Sequence, residues 1–341
     1  MPTIDPVRLE AKATSIFTAM GAPEGDAQWI ATLLVRANLR GHDSHGVIRI
    51  PQYWQSVKRK EVDPRSPITV TAETPALVRL DGGGGFGQVV GRRAMEMAIA
   101  KARAGGLSAA STSRTSHVGR LADYAEMAAR AGLVGMLWAN CVHGLNVAPW
   151  GGAARRLGTN PHAVAVPGVG GPAMVLDFAT SVVAEGKLRV KRNRKQPAPP
   201  GWFVDAKGRP ETDPEIFYGD PPGALLTAGE HKGYGMSLAV EILGGILSGT
   251  GPAGPPPGVF ANGTLMICLD VERFLPLREF HRQVGALFGW VKQTPLAQGA
   301  SEILIPGEPE ARLEAERRAQ GIPIEEQTWS QIETTAAELG V

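Results

Sequence analysis

The sequence predicts a mixed fold, α/β or α+β, with helices gathered at both chain ends. Three observations carry this. Apolar side chains recur at helical spacing through the first sixty residues. Short apolar runs then alternate with longer helical patterns from about residue 68 to 271. From Pro309 onward the chain becomes charged and amphipathic, as a surface helix pair would be.

Leu9, Ala13, Ile16, Phe17 and Met20 fall on one helical stripe, which Gly21 can end. Ile30, Leu33, Leu34 and Ala37 form a second stripe running into Leu39-Arg40-Gly41, and a third short helix carries Ile50 to Val57. Pro64 and Pro67 break the pattern and set a lobe boundary near residue 65. Ile68 to Ala72 and Ala76 to Leu80 read as strands, followed by a glycine cluster and a helix from about Gln88 to Ala104. Leu107 to Thr112 is a strand, Arg120 to Ala131 a helix stopped by Gly132, and Leu133 to Ala139 a further strand. Ala163 to Pro167 and Met174 to Asp177 are short strands flanking a Gly-Val-Gly-Gly-Pro turn. Lys187 to Asp220 is basic, then proline-rich, and reads mostly as loop. Gly233 to Leu247 predicts a long apolar helix, Gly249 to Gly258 a Gly/Pro loop, Leu265 to Val271 a strand and Leu277 to Val291 a helix.

With 341 residues, 43% hydrophobic and 20% charged, the chain can bury a large core and is not disordered. A net charge of +2 is too mild to imply nucleic acid. The two cysteines, Cys141 and Cys268, form neither a disulfide framework nor a C-x-x-C site, so a reducing cytoplasm is expected. The first residues lack the basic-then-apolar layout of a signal peptide. No run of about 18 apolar residues predicts a membrane span.

The run Arg36 to Arg49 packs His42, Asp43, Ser44, His45 and Arg49 into one short stretch. On a helix, His45 and Arg49 would share a face. A guanidinium can fork onto a carboxylate, and an imidazole can exchange a proton near neutral pH. Gly82 to Gly87 satisfies G-x-G-x-x-G between a strand and a helix, but a run of glycines matches that pattern cheaply. No acidic residue ends the following strand, so a glycine turn is the better reading. Ser116 is placed to cap the helix after it, with His117 in its first turn. Asp177 leaves an apolar strand and either caps the next segment or faces a ligand. Lys232 and Gly233 sit at a helix start that suits an anionic group. The basic run from Lys187 to Lys195 reads as a solvated face or, less readily, a 2′-phosphate contact. His42 and His45 lack a third partner at metal-ligand spacing, so no metal site is expected. His143, His162 and His281 are isolated and read as structural.

Taken in order, these segments resemble the type-2 malate/L-lactate dehydrogenase family over nearly the whole chain. The carriers include Leu39-Arg40-Gly41-x-Asp43-Ser44-His45-Gly46-Val47 with Arg49, Pro51 and Tyr53. They continue with Ser116-His117-x-Gly119, Gly158-Thr159-Asn160-Pro161, Leu176-Asp177-x-Ala179-Thr180-Ser181, His231-Lys232-Gly233-Tyr234-Gly235 and Pro306-Gly307-Glu308. The resemblance implies a non-Rossmann, NAD(P)H-dependent oxidoreductase acting on 2-hydroxy or 2-oxo acids, with reduction of cyclic 2-imino acids as the alternative. It implies a helical lobe built from residues 1–65 with about 285–341, and a largely antiparallel mixed-sheet cofactor region over about 66–284. It also implies a homodimer that binds a small carboxylate, with no nucleic-acid or membrane partner. By matching positions, His45 is the acid/base and Arg49 the carboxylate clamp. His117 is the second site histidine, a proton acceptor in some members. Asp177 and Ser44 assist, and Phe178, Ala179, Lys232, Gly233, Pro306, Gly307 and Glu308 contact the cofactor. Phe178 where methionine is common, the short proline-rich loop at Gly249 to Gly258, and Asn140-Cys141-Val142-His143 in a variable loop depart from the family pattern.

Overall fold

The computed structural model describes residues 1–254 and 258–341, so part of the Gly249 to Gly258 loop lies outside the described residues. The chain opens with strand β1 (Thr3–Ile4) and helices α1 (Pro6–Ala19), α2 (Glu24–Leu39) and α3 (Ile50–Lys58). Strands β2 (Thr69–Glu73) and β3 (Leu77–Asp81), helix α4 (Gly87–Gly105), strand β4 (Leu107–Thr115), helix α5 (Ala122–Arg130) and strand β5 (Leu133–Ala139) follow. Next come β6 (His162–Gly168), β7 (Gly171–Phe178), helix α6 (Glu185–Asn193), β8 (Phe203–Val204), β9 (Pro210–Glu211), helix α7 (Pro214–Phe217) and β10 (Ala224–Leu225). Helix α8 (His231–Val240) runs on into a π-helical turn at Glu241–Ile246. The chain ends with β11 (Asn262–Asp270), α9 (Leu277–Lys292), α10 (Glu308–Gln320), β12 (Ile322–Pro323) and α11 (Glu326–Leu339).

The main sheet has seven strands in the order β2-β3-β4-β11-β5-β6-β7. Only β3 and β4 pair in parallel, joined by α4, and every other pair is antiparallel. The sheet is therefore mixed and largely antiparallel, as expected. Alternation in β5 and β6 buries Leu133, Leu137, Ala163 and Ala165 against α4 and α5, giving one core with Ala94, Ala98, Tyr124 and Met266. A second core joins the two chain ends. Leu9, Ile16, Phe17, Ile30, Leu34, Ile50 and Tyr53 pack with Ile322 and Ile332, and β1 pairs with β12. A third, smaller core holds Leu188, Phe203, Phe217 and Leu225 around the three-stranded sheet β10-β8-β9.

The glycine cluster between β3 and α4 makes a turn, as expected. A Cβ on Gly87 would meet the backbone oxygens of Ser116 and His117 at 2.5 and 2.6 Å, so this glycine lets the 116–117 segment pass close by. Two local expectations fail. The basic run is not a loop: it forms α6, because Leu188 is driven into the third core and Arg189 pairs with Glu185 one turn back. Ser116 does not cap the helix that follows it. Its Oγ accepts the N–H of Gly87, at the start of α4, at 3.1 Å, and His117 lies in the loop before α5.

Candidate active site

Gly46 divides the richest sequence run. Residues Asp43–His45 and Val47–Arg49 form two short 3₁₀ turns, with Gly46 extended between them. His45 and Arg49 therefore do not stand on one α-helical face. The cause is Asn38, whose Oδ1 accepts the N–H of Val47 at 2.8 Å. It lies so near that a Cβ on Gly46 would approach it to 2.1 Å. The two residues still meet, because Arg49 Nε donates to the carbonyl of Ser44 at 2.7 Å.

Around them the structure gathers one cluster. Ser44 Oγ lies 3.1 Å from His45 Nδ1, and the His45 and His117 rings stack with centroids 5.5 Å apart. Tyr53 Oη lies 2.6 Å from His117 Nδ1 and accepts a hydrogen bond from Gln88 Nε2 at 2.8 Å. Burial, then the charge of Arg49, pulls the His45 pKa down to about 3. Burial and the same arginine hold His117 well below the usual histidine range, so both rings are neutral at pH 7. Burial lifts the Tyr53 phenol to about 12. Arg49 donates to Ser44 O and, through Nη1, to Gln52 Oε1 at 2.7 Å. Among the described residues no carboxylate comes within salt-bridge distance of Arg49.

A second region lies along β7, the edge strand. Val175 N–H donates to the carbonyl of Pro306 at 2.9 Å, and Gly307, at φ +100°, begins α10 directly over Val175. Two residues on, Asp177 Oδ2 accepts the N–H of Ala122 at the start of α5 at 2.8 Å. It does cap a helix, though not its own next segment. Burial raises the Asp177 pKa against the opposing pull of Arg120. Phe178 is exposed and meets the His162 ring edge-on at 4.7 Å. Beyond Ala179, the N–H of Ala228 donates to Thr180 O at 2.9 Å, and a Cβ on Gly233 would lie 2.8 Å from that same oxygen. This draws Gly233 and its neighbour, exposed Lys232, to the strand end. Glu308 turns away in part: it accepts the Ile305 N–H at 2.9 Å and pairs with Lys292.

Asp177, Pro306, Gly307 and Glu308 share a cavity of about 330 Å³ with Arg40, His42, Arg120, Arg130 and Glu310. These residues fit a dinucleotide. Arg40, Arg120 and Arg130 already pair with Glu126, but Glu310 Oε2 is a buried acceptor without a partner among the described residues, suited to a ribose hydroxyl. His42, which the sequence placed at no metal site, lines this cavity with Nε2 3.6 Å from Glu310. Sequence reasoning also assigned no role to Tyr53, Gln88 or Arg120. Tyr53 stood inside a quoted motif, but nothing local signalled its partner 64 residues away.

No group of three or more His, Cys, Asp or Glu side chains among the described residues could hold a metal ion. None of the described helices is long and apolar enough to cross a membrane.

A family model described as malate/L-lactate dehydrogenase matches residues 4–333. Hydroxycarboxylate dehydrogenase B of Escherichia coli (strain K12) is 36% identical, over 99% of this chain and 94% of that protein. The L-lactate dehydrogenase of Cupriavidus necator is also 36% identical, over 96% and 95%. The solved malate dehydrogenase of Pyrococcus horikoshii OT3 superposes with a TM-score of 0.91 at 34% identity, covering 100% of this chain and 96% of that one. With a shared sheet, a shared motif order and this span, the chain belongs to the malate/L-lactate dehydrogenase family.

Proposed function

We propose that the enzyme moves hydride reversibly between a nicotinamide cofactor and C2 of a small 2-hydroxy or 2-oxo acid. The observation that carries this reading is Arg49, a half-buried guanidinium with only neutral acceptors, set beside two neutral imidazoles. Three of its five N–H groups remain, on Nη1 and Nη2, enough for a bidentate pair with a substrate carboxylate.

A bound nicotinamide would supply the hydride acceptor or donor for C2 of the acid. Arg49 orients the acid. A carboxylate on Arg49 offsets the charge that disfavours imidazolium, so the proton affinity of His45 rises on substrate binding. In reduction His45 then gives its proton to the carbonyl oxygen. In oxidation the neutral ring takes the hydroxyl proton. Ser44 orients His45 through Nδ1. The charge of Arg120 bears on both His45 and Asp177, which lines the cavity on β7. Phe178, Ala179, Lys232, Gly233, Pro306, Gly307 and Glu308 hold the cofactor along β7.

Three guanidinium groups of the basic run are already paired, Arg189 with Glu185, Arg192 with Glu215 and Arg194 with Glu325. This favours NAD over NADP, since a 2′-phosphate would have to displace them. Exposed Ile242, Ile246 and Leu247 at the π-helical turn, with Leu287 and Trp290 on α9, support a homodimer. The two unpaired cysteines fit a reducing cytoplasm. Residues 1–65 with about 285–341 are read as the helical lobe.

The test is a panel of pyruvate, oxaloacetate and a cyclic 2-imino acid, each with NADH and NADPH, followed at the nicotinamide absorbance. Turnover of a 2-oxo acid, absent with its amide, is expected. Turnover of the imine alone would replace this reading with the imino-acid one, and silence across the panel would overturn both.

A further inference from the structure

We infer that Tyr53 and Gln88 lock His117 in its Nε2–H tautomer, making it a fixed hydrogen-bond donor while His45 moves the proton. The inference rests on the function proposed above and divides labour between its two histidines.

The argument is a count of hydrogens. Tyr53 and Gln88 are buried, 4% and 0% exposed, so their polar atoms must find partners within the protein. A phenol has one hydrogen. Its oxygen receives Gln88 Nε2 at 2.8 Å, and among the described residues its only other hydrogen-bond neighbour is His117 Nδ1 at 2.6 Å. The phenol hydrogen therefore goes to Nδ1. That nitrogen must carry a lone pair, and the ring proton sits on Nε2.

The opposite arrangement needs the Gln88 amide reversed, with its oxygen on the phenol. It would strand two N–H groups in a sealed position. The observed orientation leaves one N–H and the carbonyl oxygen of Gln88 without a partner among the described residues, one orphan N–H instead of two. Buried orphan N–H groups are the rarer and costlier of the two.

His45 has a different neighbour. Its Nδ1 faces Ser44 Oγ at 3.1 Å, and that hydroxyl makes no other hydrogen bond among the described residues. It can turn to donate or to accept, so His45 is free to carry its proton on either nitrogen as the reaction runs. No described residue bonds Nε2 of either ring, and neither atom is among the buried unpartnered ones, so both reach space that a ligand can enter. A neutral Nε2–H on His117 steadies the substrate oxygen without giving up its proton, which is the opposite of a proton acceptor.

The experiment is a two-bond ¹H–¹⁵N spectrum of the histidine-labelled, full-length enzyme near neutral pH, without substrate. His117 is assigned from the signal missing in His117→Gln. A single pattern is expected, with Nε2 protonated and Nδ1 bare. Tyr53→Phe and Gln88→Met should each replace it with an exchange-averaged pattern, while His45 is unchanged. An Nδ1–H pattern or averaging in the unaltered enzyme would overturn the inference, whether or not the variants fold. So would a single Nε2–H pattern that survives in both variants. Because no turnover is involved, an enzyme silent on every 2-oxo acid would count against the proposed function and leave the tautomer result standing.

Discussion

Arg49 and Arg120 both bear on the charge of His45, yet their surroundings differ. Arg120 is 3% exposed and sits between Asp123 at 2.9 Å and Glu126 at 3.0 Å. Arg36 and Arg40 complete the network from α2 and its end. Arg49 has no such partner and leans on a carbonyl and an amide. A buried cation flanked by two carboxylates is neutralised in place, and here Arg36 and Arg40 bring α2 to the same two carboxylates of α5. One with no carboxylate beside it keeps donors free, which in the proposed function take the substrate carboxylate.

The largest effect should come from His45→Ala. Loss of the acid/base group should lower kcat by about 10²–10⁴-fold, with the thermal midpoint unchanged. Near-normal turnover by a folded variant would remove His45 from the mechanism. The two arginines then separate. Arg120→Ala leaves buried Asp123 with Arg36 alone and Glu126 with Arg40 and Arg130, and should cost about 3–5 kcal/mol of stability in urea denaturation. Arg49→Ala should leave that midpoint in place and reduce kcat/KM for the 2-oxo acid by about 2–5 kcal/mol in transition-state terms. Equal stability losses in the two variants would erase the distinction.

The smallest effect per step of the experiment, per pH unit, is a pH dependence of folding. Both histidines have folded-state values below the usual 6.5, His45 about 3. In that case the unfolded chain binds protons first as the pH falls. The stability owed to the neutral rings is complete above pH 6.5 and is lost progressively toward pH 3. The slope is at most about 1.4 kcal/mol per pH unit for each ring. His45→Gln should flatten this slope between pH 6.5 and 4 in paired urea titrations. An unchanged slope would mean that His45 is not desolvated as the structure has it.

Much of the site was legible locally. Ser44, His45 and Arg49 lie within six residues, and they do converge. They converge for a reason the helical spacing did not contain, because Gly46 against Asn38 bends the chain into two 3₁₀ turns. The roles of Tyr53, Gln88 and Arg120 were not legible, since each depends on a partner from another element. The α6 helix was hidden for a related reason. Its one fully buried apolar residue, Leu188, gives no periodicity among six basic neighbours, and only the third core shows why that turn is needed.

The sequence by itself determined the helices and strands with strong periodicity, the order of the motifs, and the residue types available for chemistry. These rest on backbone geometry over a few residues, where side-chain spacing and turn chemistry act directly. Tertiary structure alone decided which helix Ser116 and Asp177 would cap, and that Pro306 and Gly233 would meet along β7. It also decided which histidine would have its proton fixed. Those outcomes follow from the strand order β2-β3-β4-β11-β5-β6-β7. That order sets residues dozens of positions apart at hydrogen-bond distance, and no local pattern encodes such pairings.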